Sequence, residues 1–259
     1  MQKKKRLVVI LSIIVIILSA VMVFVLTTLK PSTDVVEPNP SSTPTTTSET
    51  VSGDSKFLTN KAINDDYIAQ LKFESGLLNF PVLQGETNDT YITTEWQSME
   101  YDIEGSIFMD YRNVYEGENE DENLVIYGHY VYADERAKFG PLHDLKEESN
   151  YEANKYITLE FENEIRRYEV ARVFYCQLVD DGNGNYLYTQ DDMQYYHTNF
   201  DEEYFDIYMQ AIEDNEFYDT GVEISHDDHL LTLQTCVRNR DDLRLIVIAK
   251  EISRTAITR

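Results

Sequence analysis

Leu230 Leu231 Thr232 Leu233 Gln234 Thr235 Cys236, followed after a short connection by Arg244 Leu245 Ile246 Val247 Ile248 Ala249 Lys250, decides how this chain folds. Both are short apolar runs bounded by polar residues, the pattern of strands. Side chains alternate across a strand, so Leu231 and Leu233 share one face while Thr232, Gln234 and Cys236 share the other. The thiol therefore leaves from the more polar face. The connection Val237 to Asp242 is short enough for an antiparallel hairpin, which brings Arg244 beside Cys236 on the adjacent strand. Far upstream, Leu124 Val125 Ile126 Tyr127 reads as a buried strand ending in Gly128 and His129.

Thiol, imidazole and guanidinium at strand ends make a candidate nucleophilic site. A cysteine attacks as thiolate, which positive charge favours. An imidazole can carry the proton of a leaving or entering group, and a guanidinium can stabilise the charge that develops on a carbonyl oxygen. Arg238 and Arg240 lie in the same segment as Asp241 and Asp242 and are expected to pair with acids.

The remaining elements point to a mainly β domain. Ile63, Tyr67 and Leu71 at helical spacing, with Asn60 before them and Gly76 after, predict a helix. Strands are expected over Phe80–Gln84, Ser106–Met109, Asn123–Tyr127, Tyr156–Phe161, Ile165–Leu178, Leu230–Thr235 and Leu243–Lys250, with a hairpin turn at Asn163. Phe205, Tyr208, Met209 and Ile212 mark one face of a helix within Asp201–Asn215. Many short strands without regular βαβ alternation favour a barrel or sandwich carrying a few helices.

Charge and hydropathy divide the chain. Its 259 residues, 42% of them hydrophobic, suffice for one sizeable core. Formal net charge is −25, yet the first thirty residues hold Lys3, Lys4, Lys5, Arg6 and Lys30 and no acid. The acidic excess lies in the rest, which argues against nucleic acid as a partner because phosphate contacts need clustered cations. Leu7 to Leu26 is apolar apart from Ser12 and Ser19, near the roughly 20 residues of a membrane span. The basic residues before it predict a single-pass anchor at the cell membrane, with a cytoplasmic N-terminus and an extracellular remainder. A cleaved signal peptide is the alternative, but the run exceeds the usual roughly 7–15 residues. Residues 1–30 are thus expected to be a basic tail and transmembrane anchor, 31–55 a Pro/Ser/Thr-rich extracellular linker, and 56–259 the folded catalytic domain.

Weaker signals stand beside these. Cys236 could be a buried strand residue or bridge to Cys176, and Cys176, among Val173 Phe174 Tyr175, reads as a core residue. His226 Asp227 Asp228 His229 lacks an element to fix metal ligands and reads as a solvated turn. Asp180–Asn185 lacks the terminal Glu of a calcium loop and reads as a hairpin turn. No metal and no cofactor is expected.

Leu124 Val125 Ile126 Tyr127 Gly128 His129, Leu231 Thr232 Leu233 Gln234 Thr235 Cys236, and Arg244 before Leu245 to Lys250 resemble the His, Cys and Arg signatures of the sortases. Asn79 Phe80 Pro81 Val82 Leu83 Gln84 and Gly105 Ser106 Ile107 Phe108 Met109 Asp110 Tyr111 Arg112 Asn113 are similar to class B of that family, as is the helix-bearing segment around Phe205–Ile212. The resemblance runs from about Asn79 to Ile252. It implies a closed eight-stranded β-barrel with an N-terminal helix and a helix-bearing insertion between strands 6 and 7. It also implies cysteine transpeptidation outside a Gram-positive membrane, with His129, Cys236 and Arg244 catalytic and Gln234 and Thr235 near substrate. The implied partners are secreted proteins bearing a C-terminal sorting signal and an amine of a peptidoglycan precursor or pilin. Tyr130 stands where the family often has Asn, and Gln234 where it commonly has Ser. A non-enzymatic surface binding domain with a structural Cys and a plain cysteine peptidase are the competing functional classes; thiol reactivity separates the first from a transpeptidase, and incorporation of an added amine separates the second.

Overall fold

The computed structural model describes residues 51–52, 56–180, 186–187 and 197–258. In chain order the elements are β1 (Val51–Ser52), α1 (Lys56–Ile63), β2 (Tyr67–Phe73), β3 (Asn79–Leu83), β4 (Phe108–Met109) and β5 (Asn123–Tyr127). Two 3₁₀ turns, Gly140–Lys146 and Glu148–Asn150, lead into α2 (Tyr151–Asn154), β6 (Tyr156–Glu160) and β7 (Glu164–Gln177). The short pair β8 (Val179–Asp180) and β9 (Tyr186–Leu187), then α3 (Glu202–Glu213), β10 (Leu230–Val237) and β11 (Arg240–Thr258) complete the order.

Eight strands close a barrel in the order β11-β10-β5-β4-β3-β2-β6-β7, with β7 returning to β11; β1 adds a short parallel pairing to the end of β11. Closure depends on β11, which pairs antiparallel with β10 along one edge and with β7 along the other. Its pairing with β7 shifts register at Ile248/Ala249 and at Glu251/Ser253, and such irregularities bend a long strand enough to serve two neighbours.

The expected helix through Ile63, Tyr67 and Leu71 is corrected. The helix stops at Ile63, and Tyr67 and Leu71 lie in β2. Asn64 ends it: its side-chain Oδ1 accepts from the Asp66 amide at 2.8 Å, a local turn that competes with helix continuation. Beyond that turn Tyr67, Ala69, Leu71 and Phe73 are all buried at an interval of two, the period of a strand. The second expected helix is α3, where the Asp201 carboxylate caps the Tyr204 amide at 2.8 Å.

Strand alternation sorts the residues into an interior and a covered exterior. Leu231 and Leu233 of β10 meet Leu245 and Val247 of β11 and Val173 of β7 inside the barrel. On the outer face Leu230, Ile246, Ile248, Phe174 and Cys176 are covered by Phe205, Tyr208, Met209 and Ile212 of α3. This helix lies between the sixth and seventh barrel strands, β7 and β10, as the resemblance implied. A third cluster, Phe57, Tyr67, Leu83, Tyr91 and Phe108, seats α1 and the long β3–β4 connection.

The expected membrane anchor and cell-membrane localisation are corrected: among the described residues no helix is long and apolar enough to cross a membrane. The Leu7–Leu26 run and the linker 31–55, apart from Val51–Ser52, lie outside the described residues. Residues 181–185 of the expected Asp180–Asn185 turn also lie outside them, between β8 and β9, which pair antiparallel.

Candidate active site

β10 carries Cys236 between two unlike neighbours. It runs parallel to β5 as far as Gln234↔Tyr127 and antiparallel to β11, where Cys236 pairs with Arg244. The β10–β11 turn is tight, with Val237 opposite Arg240 and Asn239 at φ +58°, a left-handed conformation that Asn tolerates. Asp241, Asp242 and Leu243 then bulge from β11 before pairing resumes at Arg244. Anchors hold the bulge: the Leu178 amide donates to the Asp242 carbonyl at 2.7 Å, and Gln177 Nε2 donates to the Asp242 carboxylate at 2.7 Å. Arg244 Nη1 donates to the Asp241 and Leu243 carbonyls, each at 2.9 Å, so the bulge carbonyls hold the guanidinium at the strand position paired with Cys236. Arg238 and Arg240 pair instead with Glu135 and Asp242.

His129 arrives from the end of β5. Gly128 precedes it because any side chain there would collide with Phe139 and Ile107: a Cβ would lie 2.6 Å from the Phe139 ring and 2.5 Å from Ile107 Cδ1. The His129 Nε2 is 2.7 Å from the Ile92 carbonyl, and since a carbonyl only accepts, Nε2 carries the hydrogen. That carbonyl is itself placed by Gly105, at φ +53°, where a Cβ would come within 2.2 Å of the Ile92 oxygen. With Nε2 committed, Nδ1 is the ring atom left to exchange a proton.

Cys236, His129 and Arg244 line one cleft of about 220 Å³, with Gln234, Thr235, Gly128, Tyr127, Phe108, Asn88 and Ile92. Cys236 is half-buried and free. Cys176 is free too, so the two form no bridge, and it is fully buried. Burial pushes the Cys176 thiol up to about 12 even with Arg244 acting in the opposite direction. Gln234 is nearly buried at the cleft floor, and its carbonyl accepts from the Gly128 amide at 3.1 Å. Thr235 is buried on the barrel side of the strand with its hydroxyl unpartnered.

Asn88 and Ile92 carry no sequence signal as site residues, and Tyr127 reads there only as part of a strand. Asn88 and Tyr127 converge on Asp110: Asn88 Nδ2 donates to its Oδ2 at 3.1 Å and the Tyr127 hydroxyl at 2.8 Å. Asp110 is fully buried, and Arg112 grips it through Nε and Nη2, both at 2.8 Å. Burial alone would raise this carboxyl, but the bonds from Arg112, Tyr127 and Asn88 hold it below the usual carboxylate range. A signal existed in Asp110 Tyr111 Arg112, where an acid and an arginine two apart follow a strand; the connection to Asn88 existed only in three dimensions. Phe80, Pro81 and Tyr91 are not among the cleft residues; Tyr91 is wholly buried in the cluster under α1. His226 Nε2 lies 3.2 Å from the Phe200 carbonyl, while His229 faces Glu120 at 3.5 Å, so the two serve separate contacts.

Known proteins share this arrangement of barrel and sequence. The family described as Sortase domain matches residues 71–252. Sortase B of Staphylococcus aureus (strain NCTC 8325 / PS 47) is 32% identical over 202 residues, which cover 76% of this chain and 75% of that protein. The X-ray structure of Clostridium perfringens sortase B superposes with a TM-score of 0.62 at 30% identity, covering 76% of this chain and 99% of that one. A Staphylococcus aureus sortase B–substrate complex gives a TM-score of 0.64 at 27% identity, covering 76% of this chain and 85% of that one. A family match that begins in β2 and ends in β11 reaches all eight barrel strands and every residue lining the cleft: this chain belongs to the sortase family as a class B sortase, a cysteine transpeptidase that cleaves sorting signals.

Proposed function

We propose that residues 56–259 form the catalytic unit and that Cys236 is its nucleophile, acting on the C-terminal sorting signal of secreted proteins. Cys236 passes its proton to His129 Nδ1 and its Sγ attacks a backbone carbonyl of the signal, the carbonyl electrons moving onto oxygen. Arg244, opposite the thiol across the β10–β11 ladder, donates to that oxyanion, where a preorganised donor acts more strongly in the transition state than in the ground state. Collapse of the tetrahedral species breaks the amide and leaves a thioester on Cys236, with His129 Nδ1–H delivering the proton to the departing amine. An amine from a peptidoglycan precursor or a pilin then attacks the thioester and gives its proton to His129 Nδ1; the C–S bond breaks, the new amide forms, and that proton returns to Cys236. Gln234 and Thr235 border the acyl group, Gln234 through its position on the cleft floor.

The observation that carries this reading is the meeting of a free, half-buried thiol, an imidazole anchored through Nε2 and a guanidinium in one cleft. Incubating the protein with a panel of sorting peptides and a candidate amine, followed by mass spectrometry, tests it. The expected result is an acyl adduct on Cys236 and a peptide carrying the added amine. Hydrolysed peptide alone, whatever amine is supplied, would make the protein a peptidase; absence of any adduct on Cys236 with peptides that are turned over would remove the thioester.

A further inference from the structure

The parallel ladder beside Cys236 ends one acceptor too early. Carbonyls at alternate positions of a strand point to the same side. The Gln234 carbonyl on the β5 side of β10 is met by the Gly128 amide at 3.1 Å, after which the chain turns away to His129. The next carbonyl on that side belongs to Cys236, and β5 has no residue left to meet it. His143, in the 3₁₀ turn Gly140–Lys146, occupies the place instead: its Nε2 lies 3.0 Å from the Cys236 oxygen. A carbonyl only accepts, so His143 Nε2 carries the hydrogen.

The same ring touches the segment that bears the other reacting group. Tyr130, next to His129, meets the His143 ring edge-on with centroids 5.0 Å apart. The chain between them folds back on itself, with the Phe139 amide donating to the His129 carbonyl at 3.0 Å and Tyr130 bridged to Lys138. His143 thus contacts both the strand end that holds the sulfur and the strap that holds the imidazole. We propose that His143 is a positioning residue for transpeptidation, its Nε2–H replacing the missing strand partner of the Cys236 carbonyl and so fixing the direction in which Sγ enters the cleft. This rests on Cys236 being the nucleophile. The ring's surroundings suit a neutral donor: burial holds His143 below the ordinary histidine value, Lys146 acts the same way, and the Cys236 carbonyl, Asp144 and Glu135 oppose it. Tyr130, in turn, gains a function as the surface against which the ring is oriented.

Two variants of the full chain separate the donor from the ring. His143→Phe keeps an aromatic ring against Tyr130 and loses the donor; His143→Gln restores an N–H at the reach of Nε2. With the peptide and amine that wild type turns over, His143→Phe is expected to lower kcat per titratable Cys236 thiol about tenfold, the effect of one lost charge-free hydrogen bond, with KM within about twofold. His143→Gln should recover most of that loss. Amide hydrogen exchange without any peptide gives an independent readout, expected to rise across residues 234–238 in His143→Phe and not in His143→Gln. Unchanged exchange in His143→Phe, equal impairment of both variants, or faster exchange with kcat per thiol unaltered would each overturn the positioning role. Faster exchange in His143→Phe alongside a wild type that forms no acyl adduct would instead overturn the nucleophilic reading while leaving the hydrogen bond in place.

Discussion

Two sulfurs flank Arg244 at the same level of the sheet, Cys236 on β10 and Cys176 on β7, each its cross-strand neighbour on the outer face. They differ in what lies above them. α3 and Phe200 cover Phe174, Cys176, Ile246 and Leu230, whereas Gln234 and Cys236 line the open cleft. A guanidinium beside a thiol is therefore insufficient to make a nucleophile. Where the face is sealed, desolvation outweighs the cation and keeps the proton on sulfur; where it is open, sulfur, imidazole and guanidinium share one accessible space.

The comparison breaks most sharply on the thiols themselves. Cys236→Ala should abolish peptide exchange, by on the order of a thousandfold or more, while Cys176→Ala stays within about threefold; quantifying product by mass spectrometry checks both. Equal losses would mean that accessibility does not distinguish the two. Next in size is the shared cation. Arg244→Ala removes the donors proposed for the oxyanion and should lower kcat about 10²–10³-fold, and Arg244→Lys should recover only part, because an ammonium lacks the planar fork that the bulge carbonyls hold. Steady-state kinetics with the accepted peptide would show the change in kcat rather than KM.

Stripping the cover tests the sealed thiol. Phe205 is buried against Phe200 on the outer cluster. Phe205→Ala should cost about 3–5 kcal/mol in denaturant unfolding, and it should make Cys176 alkylate under conditions where wild type labels Cys236 alone. The smallest effect is alkaline. Burial raises the Cys176 thiol to about 12, above its unfolded value near roughly 8.5. Its contribution to stability is complete below the unfolded value and disappears as pH rises towards the folded one. Between about pH 9 and 11, wild type should lose stability more steeply than Cys176→Ala, by up to about 1.4 kcal/mol per pH unit, measurable from urea midpoints across that range.

The strands around the cleft were legible because they obey a simple alternation. Leu231 and Leu233 against Thr232, Gln234 and Cys236 state which face is inside, and the six residues Val237 to Asp242 allow the hairpin that pairs Cys236 with Arg244. The β2 strand was not legible, since Ile63, Tyr67 and Leu71 fit a helical interval as well as Tyr67, Ala69, Leu71 and Phe73 fit an alternating one. An Asn64 side chain bonding the Asp66 amide settled it, and such a turn is invisible to periodicity. Asn88, Ile92 and His143 escaped for another reason: each lies in a connection without a repeating pattern, and its place in the site comes from contacts with Asp110, His129 or Cys236 far along the chain.

The order of residues was enough to establish a mainly β domain, a thiol on a polar strand face and a cation across the hairpin, because strand period and turn length are local properties. Which of two cysteines is reachable, what holds the histidine ring, and what supports the carbonyl behind the sulfur were decided only when the barrel closed. Those outcomes depend on burial and on hydrogen bonds between segments tens of residues apart, and such contacts have no local signature.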